Sequence, residues 1–109
     1  VCSSDLGLAP LAVGTETEGS ISCPAAFNGC VGIKPTVGTV PTAGVVPISR
    51  SQDSPGPMAT TVRDAASLLT VLAANGTDYA AHAVPGRLVG KRIGVPRTTY
   101  WGYSSHRTT

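Results

Sequence analysis

Charged and aromatic residues are scarce in this sequence. Of its 109 residues, 13% are charged and 5% are aromatic, and the formal net charge is +2. Without a basic cluster or an aromatic platform, the chain lacks the usual features of a nucleic-acid-binding protein. No apolar run approaches the roughly 20 residues needed to cross a bilayer. Because a free-standing small domain normally carries more charge, the composition favours a segment that largely contacts other parts of a larger protein.

Cysteine and histidine are also few. Cys2, Cys23 and Cys30 are odd in number, which argues against a disulfide framework. Neither these cysteines nor His82 and His106 have the spacing of metal ligands. We therefore expect no metal and no other cofactor, and we expect the cysteines to remain thiols in a reducing compartment such as the cytoplasm.

Glycine and proline, in contrast, are abundant between residues 24 and 57. Proline removes a backbone donor and glycine permits positive φ, so this region is predicted to be irregular, with short, edge-like strands at 31–33 and 44–48. The apolar residues 7–13 precede it and are predicted to lead into a turn at Gly14.

One helix is predicted with defined ends. Thr61 can cap it, and Asp64 lies three residues further on, which approximates a capping box. An apolar stripe at helical spacing follows, formed by Ala65, Leu68, Leu69 and Leu72. The Asn-Gly pair at 75–76 is predicted to end the helix, and residues 91–95 are predicted to form a short strand.

Residues 14–24, GTETEGSISCP, are the best candidate for a chemical site. A serine nucleophile needs a general base and backbone N–H groups directed at the developing oxyanion. Gly19 beside Ser20 would allow successive N–H groups to converge. By spacing alone the pattern is weak evidence, because loops rich in serine, threonine and glycine are commonly hydrogen-bonded turns. The G-x-S-x-G, phosphate-loop and H-E-x-x-H motifs are absent.

Several short blocks, taken in order, resemble the amidase signature family of serine hydrolases. The matching blocks are GTETEGSI at 14–21, PAAFNGCVGIKPT at 24–36, Asp53, GPM at 56–58, TV at 61–62, DAA at 64–66 and GKRIGV at 90–95. The resemblance extends from about Leu8 to Tyr103, and the order and spacing of the blocks make it highly specific.

The resemblance implies an α/β fold with a central mixed sheet surrounded by helices, of which this chain would be a fragment. It also implies cleavage of carboxylic amide C–N bonds through a serine acyl-enzyme, with a Ser–cis-Ser–Lys triad. Ser20 aligns with the nucleophile, and the N–H groups of Thr17, Glu18, Gly19 and Ser20 align with the oxyanion hole. Lys34 lies in the Gly-x-Lys-Pro-Thr block and is expected to be structural. The triad lysine and the cis-serine would both precede residue 1.

Three functions remain open from the sequence. The first is an amidase acting on a small-molecule amide, without direct nucleic-acid contact or a membrane segment in this chain. The second is the A subunit of an aminoacyl-tRNA amidotransferase, which usually reads Gly-Gly-Ser-Ile-Arg at this site, so that Glu18 and Ser22 depart from its pattern. The third is a non-catalytic homologue acting as a binding module, which loss of the upstream lysine or cis-serine would favour.

Residues 1–6, VCSSDL, can be written as the codons GTG TGC TCT TCC GAT CT, the end of a widely used sequencing-library adapter. We therefore predict that residues 1–6 are translated adapter and that residues 7–109 are an internal fragment of a single amidase domain, truncated at both ends. Sequencing the source DNA across this junction checks the prediction, and a natural reading frame continuing upstream through residues 1–6 would contradict it.

Overall fold

The computed structural model describes residues 9–94. In chain order the elements are β1 (Leu11–Glu16), α1 (Ser22–Phe27), β2 (Val31–Gly32), β3 (Ser54–Ala59) and α2 (Val62–Ala73). A short 3-10 turn at Ala80–His82 follows α2. The strand order is β1–β3–β2, and β3 pairs antiparallel with both neighbours. Helices and strands therefore combine as expected for an α/β fold, although the strands of this part of the chain are all antiparallel.

The central strand, β3, contains Pro55 and Pro57. The N–H of Ile33 donates to the Pro57 carbonyl at 3.0 Å, so the backbone polar groups of Pro57 face β2. Because alternate residues direct their polar groups to opposite neighbours, Pro55 faces the same side, and Gly56 between the prolines faces β1. Strand β2 has only 2 residues, so the prolines lie where few donors are needed. The prediction of irregular chain therefore fails at residues 54–57, where β3 begins, and is confirmed for residues 33–53, which contain no helix or strand.

Strand β1 continues through Gly14 to Glu16, so the chain turns after the glycine rather than at it. The predicted strand at 31–33 is confirmed as β2. The predicted strand at 44–48 is wrong, because Gly44 has φ of 81°, outside the range of a strand. Residues 91–94 are also not in a strand.

Helix α2 confirms the predicted cap and apolar stripe. The Thr61 hydroxyl accepts the Asp64 N–H at 3.1 Å and donates to the Asp64 carboxylate at 2.6 Å. Leu69 is buried and packs with Val40, Ala73 and their neighbours Ile33, Leu72 and Tyr79. The helix ends earlier than predicted, because Ala74 already adopts the left-handed conformation, with φ of 48°. Gly76 also has a positive φ, of 77°, but it lies beyond the end of the helix.

Ile21 forms a second packing centre, between the sheet and α1, and its side chain is fully buried. Two glycines make room for it. A Cβ at Gly32 would lie 2.8 Å from Ile21 Cγ2, and a Cβ at Gly56 would lie 3.1 Å from Ile21 Cδ1. These positions therefore need glycine for close packing, because even a methyl group would displace Ile21.

Large apolar side chains are nevertheless exposed on several loops and on α1. The most exposed are Phe27 (90%), Val46 (89%), Val89 (83%) and Ile48 (81%). Surfaces of this kind are typical of regions that contact other protein. Within residues 9–94, no helix combines the length and apolar character required to span a bilayer.

Replacing Gly56 with alanine is expected to destabilise the fold. The new Cβ would overlap the Ile33 carbonyl oxygen and lie 3.0 Å from Pro35 Cδ, so β2 and β3 would have to separate. We expect Gly56→Ala to lower the free energy of unfolding by about 1–3 kcal/mol, measured by urea denaturation of the complete gene product. Gly94→Ala is the control, because a Cβ there meets nothing within 4 Å. Equal stabilities for the two variants would contradict the prediction.

Candidate active site

Ser20 lies on a short loop between β1 and α1, residues 17–21, called here the serine loop. Ser20 and Glu18 are exposed, whereas Thr17 and Gly19 are half-buried. Ile21, the last residue of the loop, is fully buried. The loop therefore presents the serine hydroxyl to solvent while the residue that follows it is held in the core.

The carboxylate of Glu16 anchors the end of the serine loop. Glu16 is only 4% exposed. Its Oε2 accepts the N–H groups of Ile21 at 2.8 Å and Ser22 at 2.7 Å, and its Oε1 accepts the Ser22 hydroxyl at 3.2 Å. Since all three donors come from the residues directly after Ser20, this one side chain determines where the chain turns.

These contacts also keep Glu16 ionised. Burial raises the pKa of the Glu16 carboxyl, but the hydrogen bonds from Ser22 and Ile21 lower it by more in total, and the positive charge of Lys34 lowers it further. The net result is a pKa below the ordinary value of 4.5. A buried carboxylate with this many donors is stabilised in its charged form.

Asp53 anchors the beginning of the serine loop. It is 7% exposed, and its Oδ1 accepts the Thr17 hydroxyl at 2.5 Å. Its Oδ2 accepts the N–H groups of Ile48 at 2.8 Å and Ser49 at 2.9 Å. The hydrogen bond from Thr17 is the largest influence on the pKa of Asp53, which lies below its ordinary value despite burial.

The N–H groups available to a substrate lie between these two anchors. Within the described part of the chain, the N–H groups of residues 17–20 have no hydrogen-bond acceptor, whereas those of Ile21 and Ser22 are occupied by Glu16. The Gly19 carbonyl accepts the Cys23 N–H at 2.9 Å, which ties the middle of the loop to α1. The loop therefore combines an exposed serine with unoccupied backbone donors, as an oxyanion site requires. The assignment of Thr17, Glu18 and Gly19 to that site stays a prediction.

Lys34 and His82 form hydrogen bonds with residues other than Ser20. The Lys34 ammonium group is exposed and donates to the Gln52 carbonyl at 3.3 Å. His82 Nδ1 lies 2.8 Å from a guanidinium nitrogen of Arg87. Neither side chain bonds Ser20. His106 lies outside the described residues. No cluster of three or more potential metal ligands occurs in the described part.

The assignment of Ser20 as the nucleophile stays a prediction, and the sequence did not indicate the anchoring roles of Glu16 and Asp53. Both residues belong to blocks that resemble the family. Each is an acidic residue among apolar or small residues, which was the available indication of a structural role. Which donors each carboxylate accepts could not be read from that signal, because the Thr17–Asp53 contact joins residues 36 positions apart.

Comparisons with known proteins support the resemblance found in the sequence. The family model described as Amidase matches residues 6–107. The chain belongs to the amidase signature family. Among its relatives, a provisionally named amidase from Arthroderma benhamiae is 46% identical over 120 residues, which covers 97% of this chain and 20% of the relative.

Two further relatives of this amidase-family chain point to different activities. The A subunit of glutamyl-tRNA(Gln) amidotransferase from Roseiflexus castenholzii is 50% identical over 101 residues, covering 84% of this chain and 21% of the relative. The peptide amidase from Stenotrophomonas maltophilia is 51% identical, with a TM-score of 0.63, covering 77% of this chain and 18% of that structure. The chain thus spans about a fifth of the length of the curated relatives it matches.

Glu16 is expected to make the amidase-family fold acid-sensitive. Because its pKa is lowered on folding, the ionised carboxylate stabilises the fold above its ordinary pKa of 4.5, and this stability is lost as the pH falls through the lowered value. Glu16→Gln should reduce stability at pH 7 by about 1–3 kcal/mol, since the amide leaves a buried N–H donor poorly paired. Its melting temperature should then change less between pH 7 and acid than that of the wild type.

The matched control is Glu18→Gln, because Glu18 is exposed and lies two residues away in the same segment. We expect it to melt like the wild type at pH 7. Thermal unfolding of the complete gene product from pH 7 down to pH 3 measures both effects. Parallel pH profiles for Glu16→Gln and the wild type would show that Glu16 does not contribute in this way.

Proposed function

We propose that the protein cleaves the C–N bond of a linear carboxylic amide through a covalent intermediate on Ser20. The observation that carries this proposal is the exposed Ser20 on a loop whose N–H groups at 17–20 have no acceptor in the described part of the chain, while Glu16 and Asp53 hold both ends of that loop. Such an arrangement suits a nucleophile beside preorganised donors.

In the proposed reaction the Ser20 oxygen attacks the carbonyl carbon of the amide and transfers its proton to a base. The N–H groups of Thr17, Glu18 and Gly19 stabilise the oxyanion of the tetrahedral intermediate. The C–N bond then breaks, and the amine leaves with the proton. Water attacks the resulting ester, releases the carboxylic acid and restores the serine hydroxyl.

The base belongs to the part of the amidase domain outside residues 9–94. The family resemblance assigns it to a neutral lysine that acts through a cis-serine, and both would precede residue 1. Lys34 does not fill this role, since its ammonium group bonds the Gln52 carbonyl. The complete protein is therefore the active species in the proposal, and this segment contributes the nucleophile and the oxyanion donors.

A second candidate is the A subunit of a glutamyl-tRNA(Gln) amidotransferase, favoured by the 50% identity to the Roseiflexus castenholzii protein. In that case the amide would be glutamine, and the ammonia would be passed to another protein of the complex. Glu18 and Ser22 depart from the usual pattern of that subunit, which favours an independent amidase acting on small molecules. Release of ammonia from glutamine only when the other proteins of the complex are added would support the second candidate.

We also propose that the protein functions in the cytoplasm. Cys23 is an exposed thiol. Exposed cysteine thiols persist most readily where glutathione and thioredoxin keep them reduced.

The first experiment is to recover the gene upstream of residue 7 and to assay the complete product. Wild type and Ser20→Ala are compared on glutamine and on amides of small carboxylic acids, amino acids and peptides. We expect Ser20→Ala to lower kcat by at least about 10⁴-fold, because the covalent pathway is removed. Ser51→Ala is the matched control, since Ser51 is an exposed loop serine outside the serine loop.

The upstream sequence and the assay separate the open functions. A lysine and a Gly/Ser-rich segment upstream, with turnover that depends on Ser20, support an amidase. Turnover that survives Ser20→Ala contradicts the assignment of the nucleophile. Loss of the upstream lysine or serine, together with an inactive wild type, supports the non-catalytic binding module instead.

A further inference from the structure

The two ends of the serine loop are anchored in different ways. At the far end, Glu16 and the buried Ile21 hold the backbone directly. At the near end, the described part of the chain offers one side-chain tie, from the Thr17 hydroxyl to Asp53. The position of the first oxyanion donors therefore depends on a contact made through a side chain.

This tie continues the pairing of β1 with β3. The last paired residues of that ladder are Glu16 and Ser54, so Thr17 and Asp53 would form the next rung. Like the pairs at the two prolines of β3, this rung would be a non-hydrogen-bonded pair, so its side chains rather than its backbone groups meet. The Thr17 hydroxyl bonds the Asp53 carboxylate there. The serine loop can therefore leave the sheet with the N–H groups of residues 17–20 unoccupied in the described part of the chain, yet remain fixed against the start of β3.

Asp53 is itself immobilised, which makes it suitable for this purpose. Its other oxygen accepts two backbone N–H groups, from Ile48 and Ser49, and its own N–H donates to the Ser49 carbonyl at 2.8 Å. A buried carboxylate with all its donors in place has little freedom to move, and its hydrogen bonds are charge-assisted. It is therefore a rigid reference point for Thr17.

We propose that Asp53 is a positioning residue for amide cleavage, which acts through the Thr17 hydroxyl to hold the oxyanion donors of the serine loop. This proposal rests on the proposed function. Asp53 touches neither the nucleophile nor a reacting atom, and it contributes by keeping the N–H groups of the loop in place. Preorganised donors lose much of their effect when they are displaced by even about 1 Å.

The test compares Thr17→Val, Thr17→Ser and Asp53→Asn in the complete gene product. Thr17→Val is the main variant, because it keeps the shape of threonine and leaves the bonds from Asp53 to Ile48 and Ser49 intact. We expect kcat on the preferred amide to fall by about 10-fold to 100-fold, with little change in KM. Thr17→Ser, which keeps the hydroxyl, should turn over faster than Thr17→Val.

The matched control is Thr15→Val, the same change at an exposed position of β1, which should behave like the wild type. All assays are run well below the melting temperature of each variant, so that loss of folded protein does not lower kcat. In a double-mutant cycle, the effects of Thr17→Val and Asp53→Asn on kcat should be less than additive, because both changes alter the same contact.

The outcomes distinguish this proposal from the proposed function. Wild-type turnover that depends on Ser20, together with an unchanged kcat in Thr17→Val, overturns the role of Asp53 and leaves the amidase in place. Additive effects of the two substitutions on kcat would also overturn it, since the residues would then act separately. An inactive wild type, or activity that survives Ser20→Ala, overturns the amidase proposal and this one with it.

Discussion

The ionised carboxylate of Glu16 is the constraint on which the candidate site depends. The side chain of Glu16 is only 4% exposed. Burial of a carboxylate without hydrogen-bond donors would be strongly unfavourable. The donors that meet it are the N–H groups of Ile21 and Ser22, so the chain has to turn back immediately after β1. Ser20 lies at this turn and is left exposed. Exposure of the serine is therefore a consequence of how Glu16 is satisfied.

Packing of Ile21 stabilises the same turn. Ile21 is fully buried against the sheet, in space that exists because Gly32 and Gly56 have no side chain. Any shift of β2 against β3 would move Ile21, which packs against both strands. Because Ile21 directly follows Ser20, the serine would move with it. Close packing and hydrogen bonding thus act on the same point of the chain, and each limits the movement that the other would allow.

The two buried acids differ in how far along the chain their partners in the serine loop lie. Glu16 bonds residues 5 and 6 positions away, whereas Asp53 bonds Thr17 from 36 positions away. The local contact shapes the loop, and the distant contact fixes the loop to the rest of the fold. Lys34, exposed nearby, favours the ionised form of both carboxyl groups. The charges around the serine loop are therefore arranged to keep its two anchors ionised.

Much of the chain could be predicted from the sequence where structure depends on near neighbours. Helix α2 followed from its Thr61 cap and its apolar repeat, and family membership followed from the order of the blocks. Strand β3 could not be predicted, because proline is tolerated in a central strand only when its missing donor faces a gap in the ladder. That condition depends on the length of β2, which local sequence does not show.

The sequence by itself determined family membership and made Ser20 the candidate nucleophile, since both depend on the order of residue types along the chain. The tertiary structure alone decided how that serine is held. Whether Glu16 and Asp53 face solvent or bond the serine loop depends on strand pairing and burial, which bring together residues far apart in sequence. The sequence does not distinguish a buried carboxylate from an exposed one, because the hydrogen-bond donors that stabilise the buried one come together only on folding.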